Sequence, residues 1–311
     1  MRELFKPLTW PGNWGQRWEQ TSLACGLITC ASPKSLWRRM WRRPNGIFLQ
    51  GVFYCRTQCL ETALTGQLTR LETLAPIPPP PNRIPLGLLM VARGRLTYEQ
   101  VATALAAQQS TRAGKIGEWF EKLGFATEQE VTCALGLQWG CPVASSLDGA
   151  AGSPFGRIPL AILEAFQMLP LHFVSATNTL YLAFGERVDH AALYAIEKIL
   201  DCRTQPCVAG RKGIARELDR MRQQPRPGEV EFGAMRDPAE MARIGASYLA
   251  KLAADDARLG RVGPFIWLRM KARTSHTNLV FRLRAETSST QNRLNPPRPN
   301  MVFSASSASV R

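Results

Sequence analysis

Residues 85–108 read PLGLLMVARGRLTYEQVATALAAQ, and residues 115–138 read KIGEWFEKLGFATEQEVTCALGLQ. The two stretches repeat one pattern at a constant offset of 30 residues. Seven positions pair in this register: Leu86 with Ile116, Gly87 with Gly117, Met90 with Phe120, Gly94 with Gly124, Val101 with Val131, Leu105 with Leu135, and Gln108 with Gln138. Internal repetition of this kind indicates one supersecondary unit built twice.

Each copy carries the local signals of a helical hairpin. Gly94 and Gly124 follow short apolar segments, where a left-handed helix end favours glycine. Thr97 and Thr127 then begin the capping-box sequences Thr-Tyr-Glu-Gln and Thr-Glu-Gln-Glu, which are typical of a helix start. Apolar residues four positions apart follow in both copies. We therefore predict helix, tight turn and helix in each copy, within residues 83–145.

The spacing Leu-Gly-x2-apolar-x3-Gly-x6-apolar-x3-Leu-x2-Gln resembles the tandem motif of a known domain family. This family is the N-terminal domain of type II secretion and type IV pilus assembly ATPases (the GspE and MshE N-terminal domain family). The similarity continues through Cys141-Pro142-Val143 and through apolar segments near residues 158–163, 168–171 and 181–185. It covers about residues 82–222 and implies such a domain without the ATPase core.

The resemblance implies binding of cyclic di-GMP, each copy holding one half of the dinucleotide, or contact with a partner protein of the secretion or pilus machinery. The family motif places arginine directly before Leu-Gly, whereas this chain has Pro85 and Lys115 there. Arg83, two residues upstream, is a candidate replacement. A packed helical module without any ligand is the alternative.

Sixteen residues are candidates for the ligand site, as apolar walls, glycines for close approach, or polar and charged contacts. They are Arg83, Leu86, Gly87, Met90, Gly94, Val101, Leu105, Gln108, Lys115, Ile116, Gly117, Phe120, Gly124, Val131, Leu135 and Gln138.

Four cysteines near the N-terminus have a metal-ligand pattern: Cys25-x4-Cys30, a spacer of 24 residues, then Cys55-x3-Cys59. Two close pairs of thiolates can form a tetrahedral zinc site. The Tyr-Cys-x3-Cys sequence also resembles the knuckle of treble-clef zinc fingers, in which the second pair opens a helix. The alternative is a set of reduced cysteines in a cytoplasmic domain.

A basic aromatic stretch, LWRRMWRR at residues 36–43, lies between the two cysteine pairs. Aromatic and basic side chains together can stack on bases and neutralise phosphates. An alternative function is therefore nucleic-acid binding by a zinc-finger module. Trp37 and Trp41 would also share one helical face and pack inward, which is the simpler interpretation.

The chain divides into segments of different composition. We predict a zinc-binding module at 1–75, a proline-rich linker at 76–82, the tandem hairpins at 83–145 and a small α/β subdomain at 146–222. A helix plus a β-hairpin (residues 264–271 with 278–284) follow at 223–284, and a disordered tail at 285–311. The predicted fold class is α+β.

Composition and missing motifs limit the possible functions. The chain has 39 basic and 24 acidic residues, a net charge of +15, but residues 82–222 are nearly balanced, with 15 basic and 13 acidic residues. The phosphate-binding loop Gly-x4-Gly-Lys-Ser/Thr does not occur in the sequence, and no catalytic constellation is visible. No apolar run reaches the ~18 residues of a membrane span. We expect a non-catalytic, cytoplasmic regulatory or adaptor protein.

Overall fold

The computed structural model of this chain describes residues 24–30, 46–73, 83–147, 158–273 and 275–284. Three regions interpreted from the sequence lie outside the described residues: the Trp-Arg stretch at 36–43, the proline-rich linker at 76–82 and the tail at 285–311. The described residues combine helices with two β-sheets, which confirms the α+β class.

The described helices are α1 (Thr57–Thr73), α2 (Leu86–Ala92), α3 (Tyr98–Thr111), α4 (Ile116–Lys122), α5 (Glu128–Trp139), α6 (Leu160–Ala165), α7 (His190–Leu200), α8 (Arg211–Gln223) and α9 (Pro238–Lys251). The described strands are β1 (Ile47–Leu49), β2 (Val52–Tyr54), β3 (Met168–Val174), β4 (Thr179–Phe184), β5 (Arg203–Val208), β6 (Glu229–Met235), β7 (Asp256–Val262), β8 (Phe265–Ala272) and β9 (Ser275–Leu283).

Helices α2 to α5 form the tandem hairpins, and both predicted capping boxes are present. The Thr97 hydroxyl accepts from the backbone N–H of Gln100, whose side chain accepts from the backbone of Thr97 in return. Thr127 and Glu130 make the same reciprocal pair at the start of α5. These bonds satisfy backbone donors that a helix start leaves without partners.

The turns inside the two hairpins are also equivalent. Gly94 has a φ of +66° and Gly124 a φ of +70°, so both lie in the left-handed region. The next residue in each copy, Arg95 or Phe125, donates its backbone N–H to the carbonyl five positions earlier. This is the Schellman arrangement, in which glycine ends the helix.

A three-stranded sheet in the order β3-β4-β5 follows the repeat. Strands β3 and β4 are antiparallel, and β5 is parallel to β4. Asp189 caps α7, its side chain accepting from the backbone N–H of Ala192, and α8 begins in the basic turn at 210–213. The loop from β4 to α7 and the start of α8 both face the tandem hairpins, and they form the second side of the site described below.

A six-stranded sheet in the order β2-β1-β7-β8-β9-β6 joins residues 47–54 to residues 229–283. Its centre is the predicted hairpin of β8 and β9, in which Phe265 pairs with Arg282 and Trp267 with Val280. Helices α1 and α9 cover one face of this sheet. The α/β region covers the other face, where Ile199 lies 2.7 Å from the position that a Cβ on Gly260 would take.

Strands from the predicted N-terminal module and from the predicted C-terminal segment belong to this one sheet. Strand β1 pairs in parallel with β7, with Phe48 opposite Asp256 and Leu49 opposite Ala257, so the cysteine-containing segment and the C-terminal segment share one sheet. Strands β1 and β2 have only three residues each. A hairpin this small cannot bury a core of its own, so it is stabilised by joining the larger sheet. The short strands β1 and β2 and the charged strands β6 and β7 were not predicted from the sequence.

We predict that Gly94→Ala and Gly124→Ala each destabilise the fold by ~1–2 kcal/mol, because an L side chain is strained at positive φ. No described atom lies within 4 Å of a Cβ at either position, so backbone strain alone is tested. Gly66→Ala in α1 is the matched control. It also enters open space, but in a regular helix, and should stabilise by ~0.5–1 kcal/mol. Urea unfolding measures all three variants, and a shift in the same direction for Gly94→Ala and Gly66→Ala would contradict this explanation.

Candidate functional site

The two hairpins are held together by a reciprocal pair of glutamine hydrogen bonds. Gln108 at the end of α3 donates its side-chain Nε2 to the carbonyl of Gly114, 2.9 Å away. Gln138 at the end of α5 donates in the same way to the carbonyl of Ile84, at 2.6 Å. Each acceptor precedes the first helix of the other copy, so α3 packs beside α4 and α5 beside α2. The two copies are thus related by an approximate two-fold arrangement.

The paired glycines of the motif permit close packing within each copy. A Cβ on Gly87 would lie 2.9 Å from a methyl of Val101, and a Cβ on Gly117 would lie 2.9 Å from a methyl of Val131. Such distances are too short for two carbon atoms without displacement of the neighbour. Glycine is therefore needed in α2 and α4 so that the second helix of the hairpin can approach.

Several of the predicted ligand-facing residues lie inside the repeat. Met90 and Phe120 are fully buried, and Val101 is also buried in the core shared by the four helices. Their side chains pack against one another, since neither hairpin can cover its apolar face alone. The first copy therefore presents little of its predicted row to a ligand, while Leu105 is exposed on the outside of the repeat.

A cavity of about 450 Å³ lies between the second copy and the α/β region. It falls within the usual size range of small-molecule sites. Its walls are Pro85, Leu86, Lys115, Ile116, Gly117, Glu118, Glu121, Glu128, Val131, Thr132, Leu135, Gln138, Trp139, Gly185, Glu186, Arg187 and Arg211.

The cavity brings together seven of the sixteen candidate residues, and six of these belong to the second copy. They are Leu86, Lys115, Ile116, Gly117, Val131, Leu135 and Gln138. The other nine do not line it: Arg83, Gly87, Met90, Gly94, Val101, Leu105, Gln108, Phe120 and Gly124. The structure thus forms a cavity at one copy of the motif, and the role of the individual residues in ligand binding stays a prediction.

The cations of the cavity are already paired with carboxylates. Lys115 forms an ion pair with Glu186, which follows β4. Arg211, the first residue of α8, is 2.5 Å from Glu118 and 3.8 Å from Glu186. Burial lowers the pKa of Lys115, although the Glu118 carboxylate acts in the opposite direction. An anionic ligand would therefore have to compete with Glu118 and Glu186 for these cations.

A second group of charges attaches the start of α8 to the hairpins. The Lys212 ammonium lies 3.0 Å from Glu121 and 3.7 Å from Glu128. The backbone N–H of Lys212 also donates to Glu128, at 2.8 Å. A carboxylate at a helix N-terminus is favourable because the first N–H groups lack partners in the helix. The second copy is thus docked on the α/β region by charge pairs along one rim of the cavity.

Arg83 packs against the end of α5 and does not line the cavity. Its guanidinium carbon lies 3.2 Å from the ring centroid of Trp139, and its Nη1 donates to the carbonyl of Gln138. Burial lowers the pKa of Arg83. The side chain therefore holds the end of α5 against the segment that precedes α2, behind the cavity wall.

Sequence reasoning missed the part of the site contributed by the α/β region. Glu186, Arg187 and Arg211 come from two segments that follow the repeat by more than 40 residues. One signal was available, since the turn Gly-Arg-Lys-Gly at 210–213 places two cations at a helix start. The acidic positions of the second copy, which have apolar counterparts in the first, were the other signal.

The four N-terminal cysteines form a compact cluster, as their spacing predicted. The Sγ atoms of Cys25, Cys30, Cys55 and Cys59 all lie within 4.8 Å of one another. The Cys30 and Cys55 sulfurs are 3.5 Å apart, and those of Cys30 and Cys59 are 3.7 Å apart. A tetrahedral zinc ion with Zn–S bonds of ~2.3 Å requires sulfurs ~3.8 Å apart. These residues therefore fit a zinc ion.

Three elements position the cluster. Cys25 and Cys30 flank a turn attached to β2 by the bond from Gly26 N–H to the Phe53 carbonyl, at 2.8 Å. Cys55 follows β2, and Cys59 lies in the first turn of α1. Burial raises the pKa of Cys59 to about 12, and the Cys30 thiol acts in the same direction. Thiolates so close together need a cation to offset their repulsion and desolvation.

Comparisons with known proteins gave matches among solved structures. No family model and no curated protein matches this chain. Among solved structures, MshE with cdg is 25% identical, with a TM-score of 0.37, over 44% of this chain and 99% of that one. The N-terminal domain of XpsE is 18% identical, with a TM-score of 0.34, over 43% of this chain and 92% of that one.

None of the described helices is both long enough and apolar enough to span a bilayer.

We predict that the Glu118–Arg211 pair contributes ~0.5–1 kcal/mol of coupling to stability, because Arg211 remains partly exposed and solvent screens the attraction. A double-mutant cycle with Glu118→Gln and Arg211→Met measures it by urea unfolding. The matched control is the Glu217–Arg220 pair within α8, 3.4 Å apart and more exposed, for which we expect less than ~0.5 kcal/mol. Equal coupling in both cycles would show that the contact does not fasten the hairpins to α8.

Proposed function

We propose that this chain is a non-catalytic regulatory or adaptor protein of the secretion and pilus type, and that its cavity binds cyclic di-GMP. One observation carries the proposal. The cavity combines an apolar wall from the second copy of the motif with cations from Lys115, Arg187 and Arg211. Apolar surface for a base next to cations for a phosphate is the chemistry that a nucleotide requires.

The two sides of the cavity suit different parts of such a ligand. Ile116, Val131 and Leu135 offer aliphatic surface, and the Trp139 ring lies at the same wall. Aromatic and aliphatic surfaces can hold a base face. Arg211 offers a planar guanidinium that can bond two phosphate oxygens, whereas Lys115 acts as a point charge. The choice of cyclic di-GMP among nucleotides follows from the motif resemblance of residues 85–138.

Binding would be an exchange of anionic partners. A phosphate that reaches Lys115 or Arg211 displaces Glu186 or Glu118. The ligand therefore gains only the difference in free energy between the new ion pair and the one it replaces. The pairs are partly exposed and therefore individually weak, which makes the exchange feasible. The ligand would touch both the hairpins and the segments 185–187 and 211, and its binding would alter how these two parts are held together.

We predict that Glu186→Gln tightens binding of cyclic di-GMP about 3- to 5-fold, because it releases Lys115 from its internal partner. Lys115→Met should weaken binding ~10-fold by removing a charged contact to phosphate. The measurement is isothermal titration of the full chain. Glu217→Gln, a neutralised carboxylate on α8 whose partner is Arg220, is the matched control and should leave the affinity unchanged.

Two outcomes of this titration would contradict the proposal. Absence of heat at high micromolar cyclic di-GMP would reject binding by this chain. Equal affinity in wild type, Glu186→Gln and Lys115→Met would place the ligand elsewhere. Guanosine, which lacks the phosphate, should be indifferent to both substitutions.

The adaptor role is a proposal about the partner. The chain would contact a secretion or pilus assembly protein, such as the ATPase or its platform protein, and the ligand would bias that contact.

Nucleic-acid binding through the N-terminal module gains no support from the described residues. Residues 46–73 carry Arg56 and Arg70 against Glu61 and Glu72, so the part that is described is electrically balanced. Both faces of strand β8 are buried, which leaves the centre of the large sheet inaccessible to a duplex or a single strand. We therefore favour the adaptor function.

We further propose that the four cysteines hold a structural zinc ion in a treble-clef-like arrangement of turn, hairpin and helix. The ion would tie the turn at 25–30 and the β1–β2 hairpin to the start of α1. This segment is otherwise held by the short strand β1 and by the apolar side of α1, which includes Leu60 and Leu64. Zinc would thus stabilise the edge of the six-stranded sheet.

We predict one equivalent of zinc per chain after expression with added zinc, measured by elemental analysis of the full chain. Cys55→Ser and Cys59→Ser should lose the metal and lower the melting temperature, because they remove ligands from the site. Cys133→Ser, an exposed cysteine far along the chain, is the control and should retain both. Less than half an equivalent in the wild type would reject the zinc site.

A further inference from the structure

Two cations of the cavity converge on one carboxylate. Glu186 pairs with the Lys115 ammonium and lies 3.8 Å from the Arg211 guanidinium. Lys115 precedes α4 and Arg211 begins α8, so a cation from the hairpins and a cation from the α/β region meet at one point. The Lys115 side chain is 61% exposed and that of Arg211 38%, so an anion from solvent can reach both. We call the position of the Glu186 carboxylate between these two cations the Glu186 subsite.

The first copy of the motif offers no second position of this kind. It contributes Pro85 and Leu86 to the cavity wall, and neither is charged. Pro85 corresponds to Lys115 at the offset of 30 residues. Three acidic residues of the second copy also have uncharged counterparts in the first: Glu118 matches Leu88, Glu121 matches Val91, and Glu128 matches Tyr98. The cavity therefore holds cations for one phosphate and an apolar wall for one base.

We propose that the cavity is built for a single nucleotide with a terminal phosphate, a nucleoside monophosphate, whose phosphate takes the place of the Glu186 carboxylate. This inference rests on the proposed nucleotide site and names the class of ligand that fits it. A phosphate monoester carries a charge of about −1.5 to −2 at pH 7 and three acceptor oxygens. It therefore matches the two cations of the Glu186 subsite better than the single charge of a carboxylate does.

A cyclic dinucleotide matches the same cavity less well. Each of its phosphates is a diester with a single negative charge, so it replaces the Glu186 carboxylate without a gain in charge. Its second base and second phosphate meet no equivalent wall from the first copy. The cavity volume of about 450 Å³ also lies in the lower part of the range for small-molecule sites. GMP, the monophosphate half of cyclic di-GMP, should therefore be the better ligand.

Isothermal titration of the full chain with GMP and with cyclic di-GMP, at about pH 7.5 and about pH 5.5, tests this inference. We expect GMP to bind ~3-fold more tightly than cyclic di-GMP at the higher pH. A phosphate monoester takes up its second proton near pH 6, whereas a diester has none to take up. The ratio of the GMP affinity to the cyclic di-GMP affinity should therefore fall ~4-fold at the lower pH.

The ratio separates the proton of the ligand from the titration of the protein. Several charged groups surround the Glu186 subsite. They are Glu118 and Glu121 on α4, Glu128 on α5, Arg187 and Asp189 beside Glu186, and Lys212 beside Arg211. A change in their charge acts on both ligands, so it moves both affinities and leaves the ratio to report the phosphate.

Two substitutions place the phosphate at the subsite. Arg211→Met removes one of the two cations and should weaken GMP binding ~10-fold. Glu186→Gln keeps both cations and removes the competing charge, so it should tighten GMP binding ~3-fold even if Arg211→Met fails to fold. Arg220→Met is the matched control, a cation of the same helix that pairs with Glu217, at 3.4 Å. It should leave both affinities unchanged, and thermal unfolding at both pH values checks folding.

The outcomes separate this inference from the proposed function. Weaker binding of GMP than of cyclic di-GMP at about pH 7.5, or a ratio that does not fall at about pH 5.5, overturns the inference and leaves the proposed function standing. Heat with GMP and none with cyclic di-GMP supports the inference and rejects cyclic di-GMP as the ligand. No heat with either nucleotide rejects both.

Discussion

The rest of this structure depends on the packing of the two hairpins against each other. A pair of helices as short as α2 and α3 cannot enclose an apolar core, and stability comes from packing one copy on the other. Met90 and Phe120 fill the shared interior, and the glutamines at the helix ends close each copy onto the segment before the other. Once the copies are locked in this way, their remaining faces point outward in equivalent directions. What covers each face then depends on its own side chains.

Divergence at three positions decides which of the two faces is internal. Carboxylates in the second copy meet the basic start of α8, and the cavity opens along that junction. Leucine, valine and tyrosine at the same positions of the first copy leave α8 no partner. The two copies thus share the glycines, valines and capping boxes that build each hairpin, yet present different chemistry on equivalent faces.

Local signals explain which parts of the structure could be predicted from the sequence. The caps at Thr97 and Thr127, the Schellman glycines, the β8–β9 hairpin and the cysteine spacing depend on residues close together in the chain. The pairing of β1 with β7 joins positions some 200 residues apart and has no local signature. The same holds for Glu186 and Arg211, which reach the site only through tertiary packing. Gln108 and Gln138 each bond a backbone carbonyl before the first helix of the other copy, a tertiary role that the repeat spacing alone does not reveal.

The internal ion pairs also restrict which ligands the cavity can accept. A molecule with apolar bulk but no anionic group would leave Lys115 on Glu186 and Arg211 on Glu118, and only the aliphatic wall near Ile116 would remain to attract it. A molecule that brings phosphate oxygens can replace each carboxylate that it displaces. A displaced carboxylate that finds no other cation would repel the incoming phosphate. The net gain in binding free energy would therefore be small, and it would depend on how many carboxylates are left unpaired. In the proposed binding, the glutamates would set the affinity as much as the cations, and the second hairpin would release α8 only to a ligand that supplies charge in return.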